Sequence, residues 1–95
     1  MSQRETKRFS LGRILATPGA LQALRAAGQS ADEFLARHVV GDWGDVDEHD
    51  RAQNEISVKK RLRLLSAYHL RDGTKIWIIT EADRSSTTVL LPHEY

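Results

Sequence analysis

The chain contains no cysteine and no long apolar run. Without cysteine there can be no disulfide, no thiolate metal ligand and no cysteine nucleophile, which removes many enzyme classes. No apolar stretch approaches the roughly 20 residues that a membrane span needs. The polar start, MSQRETKR, is not followed by the apolar segment of a secretory signal. We therefore expect a cytoplasmic protein without membrane contact.

Sequence signatures of several catalytic and metal sites are also missing. There is no glycine-rich phosphate loop, no GxSxG elbow and no HExxH motif. The four histidines, at positions 38, 49, 69 and 93, lack the spacing of a metal pair on one helix face. His38 is expected on a helix surface, and the acids around His49 are explained by helix capping. We expect no bound metal and no cofactor.

Length and composition favour one soluble domain. The chain has 95 residues, of which 40% are hydrophobic and 28% charged, as in an ordinary globular protein. Residues 1–9 are polar and basic, which predicts a flexible tail, and residues 10–95 form the domain. The net charge is only +1. Six acids between Asp42 and Glu55 precede a basic group.

Capping signals predict three to four helices before residue 61. Ser10 can cap a short first helix that carries Leu11, Ile14 and Leu15. Thr17-Pro18 predicts a helix over 18–27 that ends at Gly28. The remaining signals are a capping box at Ser30, which predicts a helix over 31–39, and the carboxylates of Asp45 and Glu48, which predict one over 46–60.

The strongest structural signal is a β-hairpin in residues 62–91. Asp72-Gly73 predicts a two-residue turn that places Tyr68 opposite Trp77. Residues 82–85 form a second turn, and Ser86–Leu91 a third strand ended by Pro92. The fold class is α+β, with three to four N-terminal helices packed on a C-terminal three-stranded antiparallel meander. Both sheet faces look apolar, so helices cover one face, and the remaining helices or a partner cover the other.

Two groups of residues are candidates for binding. Trp43, between Gly41 and Gly44, is either a plug over the core or an exposed anchor for a partner. Cations that could meet phosphates are Lys59, Lys60, Arg61, Arg63 and Arg71. The alternative for most of these cations is a solvated helix end, because Lys59 and Lys60 suit the helix macrodipole.

One catalytic hypothesis involves the sheet. His69, Glu81, Arg84 and either Thr87 or Thr88 supply an acid, a base and a cation, which a ribonuclease acting through the 2′-hydroxyl needs. Ordinary turn and strand-edge polarity accounts for the same residues. In the predicted register, His69 and Glu81 lie on opposite faces, which is unfavourable for cooperation.

Three segments, FSLGRILATPGAL, EFLARHVVGDWGDVDEHDRAQNE and LSAYHLRDGTKIWIITEADRSSTTVLLPHEY, resemble a family of small, largely uncharacterised proteins of plasmids and other mobile elements of proteobacteria. The resemblance implies a small accessory protein that modulates host defence or plasmid maintenance by binding. The run WIITEADRSSTT also resembles the closing hairpin of barnase and RelE-like nuclease toxins.

The leading hypothesis is a non-enzymatic protein-binding protein, whose partner is another protein or a second copy of the chain. Its predicted binding residues are Trp43 and the five cations named above. The alternatives are an endoribonuclease toxin of the RelE or barnase type and a nucleic-acid-binding regulator.

Overall fold

The computed structural model describes residues 6–95 and combines three helices with one four-stranded sheet. The order along the chain is β1 (Arg13–Ala16), α1 (Pro18–Ala27), α2 (Ala31–Val39), α3 (Glu48–Lys60), β2 (Leu64–His69), β3 (Lys75–Thr80) and β4 (Ser86–Leu90). A short 3-10 helix, Pro92–Glu94, follows β4. In the sheet, the strand order is β1-β4-β3-β2.

Local capping determines where the helices begin and end. The Thr17 hydroxyl accepts a hydrogen bond from the Ala20 N–H at 3.1 Å, and Gly28 ends α1 in the left-handed conformation. The predicted helices 18–27 and 31–39 are confirmed. The third helix starts at Glu48 rather than residue 46, because its cap is Asp47 and not Asp45.

The segment predicted as a first helix is instead strand β1. It pairs in parallel with β4, placing Ile14 beside Thr87. Gly12 precedes it with φ of +65° and lies against the backbone carbonyls of Arg84 and Ser85, so close that a Cβ would meet both oxygens at 2.4 Å. This contact holds the backbone extended where it enters β1, so the segment cannot form a helical turn. The meander β2-β3-β4 is therefore present, but the sheet is mixed and has a fourth strand.

The hairpin differs from the prediction by one residue in register. Tyr68 pairs with Ile76 rather than Trp77. The cause is a three-residue loop, in which Gly73 has φ of +92° and the Leu70 N–H donates to the Thr74 carbonyl at 2.8 Å. A one-residue slip moves every side chain of one strand to the other face of the hairpin.

The corrected register defines two unequal sheet faces. The inner face is packed against α1 and α2, with Leu24 and Phe34 in the same core cluster as Tyr68, Ile78 and Val89. It also carries three buried hydroxyls, those of Ser66, Thr80 and Thr87. The outer face carries half-buried Trp77, against which the ring of Tyr95 packs edge-on at 5.9 Å. The outer face is therefore covered in part by the chain's own C-terminal segment.

The described part of the N-terminal segment lies against the domain. Residues 1–5 of the predicted tail lie outside the described residues. The Arg8 N–H donates to the Val39 carbonyl at 2.8 Å, and its guanidinium forms a salt bridge with Glu55 at 2.8 Å. Phe9 stacks on Trp43 at 6.1 Å between ring centroids. Residues 8 and 9 therefore belong to the packed domain.

Candidate functional site

A buried polar network runs between α2 and the inner face of the sheet. His38, in the last turn of α2, is completely buried rather than on the helix surface. Its Nδ1 lies 2.5 Å from the Ser66 hydroxyl and its Nε2 lies 2.9 Å from the Thr80 hydroxyl. The Thr80 hydroxyl lies 2.8 Å from that of Thr87, which donates to the Leu11 carbonyl at 2.7 Å. The network joins α2, three strands and the segment before β1.

This network is closed to substrates. Burial, followed by the nearby positive charge of Arg84, lowers the pKa of His38 to about 3, so the ring is neutral at pH 7. A serine beside a histidine is the pairing of nucleophilic catalysis. However, the side chains of Ser66 and His38 are both fully buried, and the second ring nitrogen meets a threonine rather than a carboxylate. The arrangement satisfies buried polar atoms and orders the core.

Arg84 is a structural cation at the second turn. It is 6% exposed and has φ of +62°. Its guanidinium donates to the backbone carbonyls of Ser57, Leu62, Glu81 and Ala82 at 2.8 to 3.1 Å. Burial and the charge of Arg61 lower its pKa. All these acceptors are main-chain oxygens, and the Ser57 carbonyl lies in the last turn of α3, where a cation stabilises the helix dipole.

The four residues of the nuclease hypothesis do not converge. His69 pairs with Lys75 at one end of the β2-β3 ladder, while Glu81 follows Thr80 at the other end. At about 3.3 Å per strand residue, the two groups are roughly 20 Å apart. His69 bonds instead to Asp45, with Nδ1 and Oδ2 2.7 Å apart. Thr87 and Arg84 are buried in the contacts already described, and Thr88 is half-buried on the outer face.

Trp43 fills the space between α2, α3 and the N-terminal segment. It is 1% exposed, and its indole N–H donates to a Glu55 carboxylate oxygen at 3.0 Å. The His38 ring packs edge-on against it at 5.7 Å. Its position corresponds to the predicted core plug, and almost none of its surface can be reached by a partner.

The predicted basic residues are divided between two ends of the molecule. Lys59, Lys60 and Arg61 are exposed at the C-terminal end of α3. Nearby, Arg63 donates to the Tyr95 hydroxyl at 2.6 Å and lies 3.5 Å from Glu81. Arg71 lies in the hairpin loop, at the opposite end of β2. The structure therefore brings four of the five cations together and leaves Arg71 apart.

The free edge of β2 is covered by the chain itself. The Asn54 side chain accepts from the Leu65 N–H at 3.1 Å and donates to the Leu65 carbonyl at 2.7 Å. Ala67 is paired in the same way, donating to the Trp43 carbonyl at 3.1 Å and accepting from the Asp45 N–H at 2.6 Å. These contacts occupy the outward-pointing backbone groups of Leu65 and Ala67, which would otherwise be free to recruit another strand.

Replacing Gly44 with alanine tests the close contact between the loop at Gly44 and the β2 edge. Gly44 has φ of +73°, and a Cβ there would meet the Ala67 carbonyl oxygen at 2.1 Å. We expect Gly44→Ala to lower the free energy of unfolding by about 3 kcal/mol, from left-handed strain plus displacement of the loop. Gly28→Ala is the matched control, since Gly28 has φ of +68° but nothing within 4 Å, and should cost about 1 kcal/mol. Urea denaturation measures the free energy of unfolding of both variants. Equal losses would contradict the close contact between Gly44 and the Ala67 carbonyl.

Within residues 6–95, no strand or loop pairs with the outer edge of β1. The Arg13 N–H donates to the carbonyl of Ser85, just before β4, and the Thr17 N–H donates to the Val89 carbonyl of β4, at 3.0 Å each. Because alternate strand residues point their backbone groups in opposite directions, the N–H groups of Ile14 and Ala16 point away from β4. Two apolar side chains are exposed along this strand, Ile14 at 48% and Leu15 at 41%. This edge combines unpaired backbone groups with apolar surface.

A groove of about 480 Å³ lies beside this edge. It is lined by residues of the N-terminal segment, β1 and the end of α2: Lys7, Phe9, Ser10, Leu11, Gly12, Ile14 and Val39. The sequence prediction missed this site because it assigned Ile14 and Leu15 to a helix. The signals that indicate a strand were the β-branched Ile14 and the helix-breaking Gly12.

The described residues hold neither a metal site nor a membrane span. Among residues 6–95, no group of three or more histidine, aspartate or glutamate side chains could hold a metal ion. No helix within the same range is both long and apolar enough to cross a membrane. Comparisons of the chain with protein-family models, with curated proteins and with solved structures found no match.

Proposed function

We propose that the protein is a small non-enzymatic binding domain that docks an extended strand of another protein on the open edge of β1. The observation that carries the proposal is the contrast between the two sheet edges. The β2 edge is paired by Asn54, Trp43 and Asp45, whereas β1 presents backbone groups that no described residue pairs, beside exposed Ile14 and Leu15. Proteins usually protect such edges, so an open one with apolar side chains favours strand addition.

The mode of binding follows from strand geometry. The N–H groups of Ile14 and Ala16 provide main-chain hydrogen bonds to an added strand. Side chains of that strand alternate between the two faces. On the inner side they enter the groove beside Phe9, Leu11 and Val39, and on the outer side they pack against Leu15. Backbone pairing supplies affinity, and the groove supplies specificity.

The alternatives receive less support from the geometry. An endoribonuclease would require His69, Glu81 and Arg84 to act on one phosphate, and these residues are dispersed or buried. A nucleic-acid-binding regulator would use the cations after α3, of which Arg63 already faces Glu81 and Tyr95. A role in host defence or plasmid maintenance rests on the resemblance to mobile-element proteins.

Replacing Ile14 with proline tests strand docking. The substitution removes an N–H that points away from β4, and proline is tolerated on a sheet edge. The Ile14→Pro variant should keep the circular dichroism spectrum and melt within a few degrees of the original protein. It should no longer retain the proteins that the original chain captures from a lysate of its native host.

The matched control is Leu15→Pro. The Leu15 N–H points toward β4, so this proline breaks the ladder and should lower the melting temperature clearly. Retention of the same captured proteins by a folded Ile14→Pro variant would contradict docking on β1. A failure of the original chain to capture any protein would contradict it as well.

A further inference from the structure

Two cations lie at the β1 edge and its groove. Lys7 lines the groove, and Arg13 is exposed on β1 itself. None of the groove-lining residues carries a carboxylate. Within residues 6–95, neither Lys7 nor Arg13 forms a salt bridge. A strand that docks here therefore meets two cations without a salt-bridge partner among the described residues, while the Glu94 carboxylate bonds to Thr17 just after β1.

Further cations occupy the same end of the molecule. Gly12, just before β1, lies against the turn at residues 83–85. From the other side, Arg61 donates to the Asp83 carbonyl of that turn at 3.4 Å. Lys59 and Lys60 precede Arg61 at the end of α3. The basic group at the end of α3 and the entry to β1 therefore border one turn, whose own Asp83 carboxylate offsets part of their positive potential.

We propose that the strand accepted by the β1 edge alternates apolar residues with aspartate or glutamate. This inference rests on the proposed function and specifies the partner's chemistry. Its apolar side chains fill the groove beside Ile14, and its carboxylates lie on the outer face beside Arg13. A second copy of this chain fits less well, because pairing β1 with β1 brings together two lysines and two arginines, and neither β1 nor the groove lining carries a carboxylate. Electrostatic complementarity of this kind sets partner choice and association rate.

Two synthetic peptides test this chemistry with defined probes. The first is a short, end-blocked peptide that alternates glutamate with valine and isoleucine, and the second has lysine in place of glutamate. Isothermal titration calorimetry with the full chain should show binding of the acidic peptide only. Its affinity should fall as salt is raised, because exposed charges are screened.

Single charge removals make the test specific to β1. Arg13→Gln should weaken binding of the acidic peptide about threefold, as expected for an exposed ion pair. Arg25→Gln is the matched control, since Arg25 is exposed on α1 and does not line the groove. It should leave the affinity unchanged.

The outcomes separate this inference from the proposed function. Equal binding of both peptides that is lost in Ile14→Pro would retain strand docking but overturn the acidic partner. Binding of neither peptide would also overturn it. A dimer in sedimentation velocity that Ile14→Pro dissociates would identify a second copy as the occupant, which again overturns the acidic partner.

Discussion

Replacing His38 with alanine is expected to lower the free energy of unfolding by about 3 to 5 kcal/mol. The substitution leaves a cavity in the core and removes the partner of two buried hydroxyls, those of Ser66 and Thr80. Urea denaturation at pH 7 measures the loss. The matched control is His49→Ala, because His49 is exposed on α3, and this variant should stay within about 0.5 kcal/mol of the original protein.

A milder variant covers the case in which His38→Ala does not fold. Ser66→Ala deletes only the hydroxyl near Nδ1 of His38 and should cost about 1 to 3 kcal/mol. If His38→Ala and His49→Ala had equal and small effects, the polar network would not stabilise the fold as described.

The same histidine should make the protein sensitive to mild acid. The pKa of His38 is lowered from 6.5 to about 3 in the folded state. The unfolded chain therefore binds the proton more tightly, so the stabilisation is complete above pH 6.5 and is lost as the pH falls toward 3. Between pH 7.5 and 5.0, the free energy of unfolding should fall by about 2 kcal/mol.

Between pH 7.5 and 5.0, the acids with lowered pKa values contribute little to the change in the free energy of unfolding. Hydrogen bonds from Arg8 and Trp43 lower the pKa of Glu55 from 4.5 to about 2, so its contribution is lost only below pH 4.5. The pKa of Asp42 is lowered chiefly by its hydrogen bond with Arg37, from an ordinary value of 3.8. Urea denaturation at several pH values across this interval should show the free energy of unfolding falling as the pH falls. The His38→Gln variant should lack this pH dependence. An unchanged pH dependence in that variant would contradict a buried neutral histidine.

Local signals in the sequence predicted the helices well because caps act over a few residues. Thr17-Pro18, Ser30 and the closing Gly28 satisfy the orphan backbone groups next to them, and such contacts can be recognised from neighbouring residues alone. The hairpin strands were likewise visible as β-branched runs. Their register was not, since Gly73 suits both a two-residue turn and the third position of a longer loop.

The candidate site could not be predicted because it depends on contacts that are distant in sequence. The strand character of β1 comes from pairing Arg13–Ala16 with β4, more than 70 residues later. The burial of His38 depends on hydroxyls of β2 and β3, which the predicted register would have separated. The difference between the β1 edge and the covered β2 edge likewise depends on Asn54 of α3 reaching Leu65 of β2.

The most direct test of docking on β1 is amide hydrogen exchange measured by nuclear magnetic resonance, with and without the acidic peptide. The N–H groups of Ile14 and Ala16 point away from β4 and should exchange quickly in the free protein. We predict that the peptide slows exchange at these two positions and leaves Leu65 and Ala67, on the covered edge, unchanged. Slowed exchange that maps to the β2 edge, or unchanged exchange at Ile14 and Ala16 in the bound protein, would contradict the account.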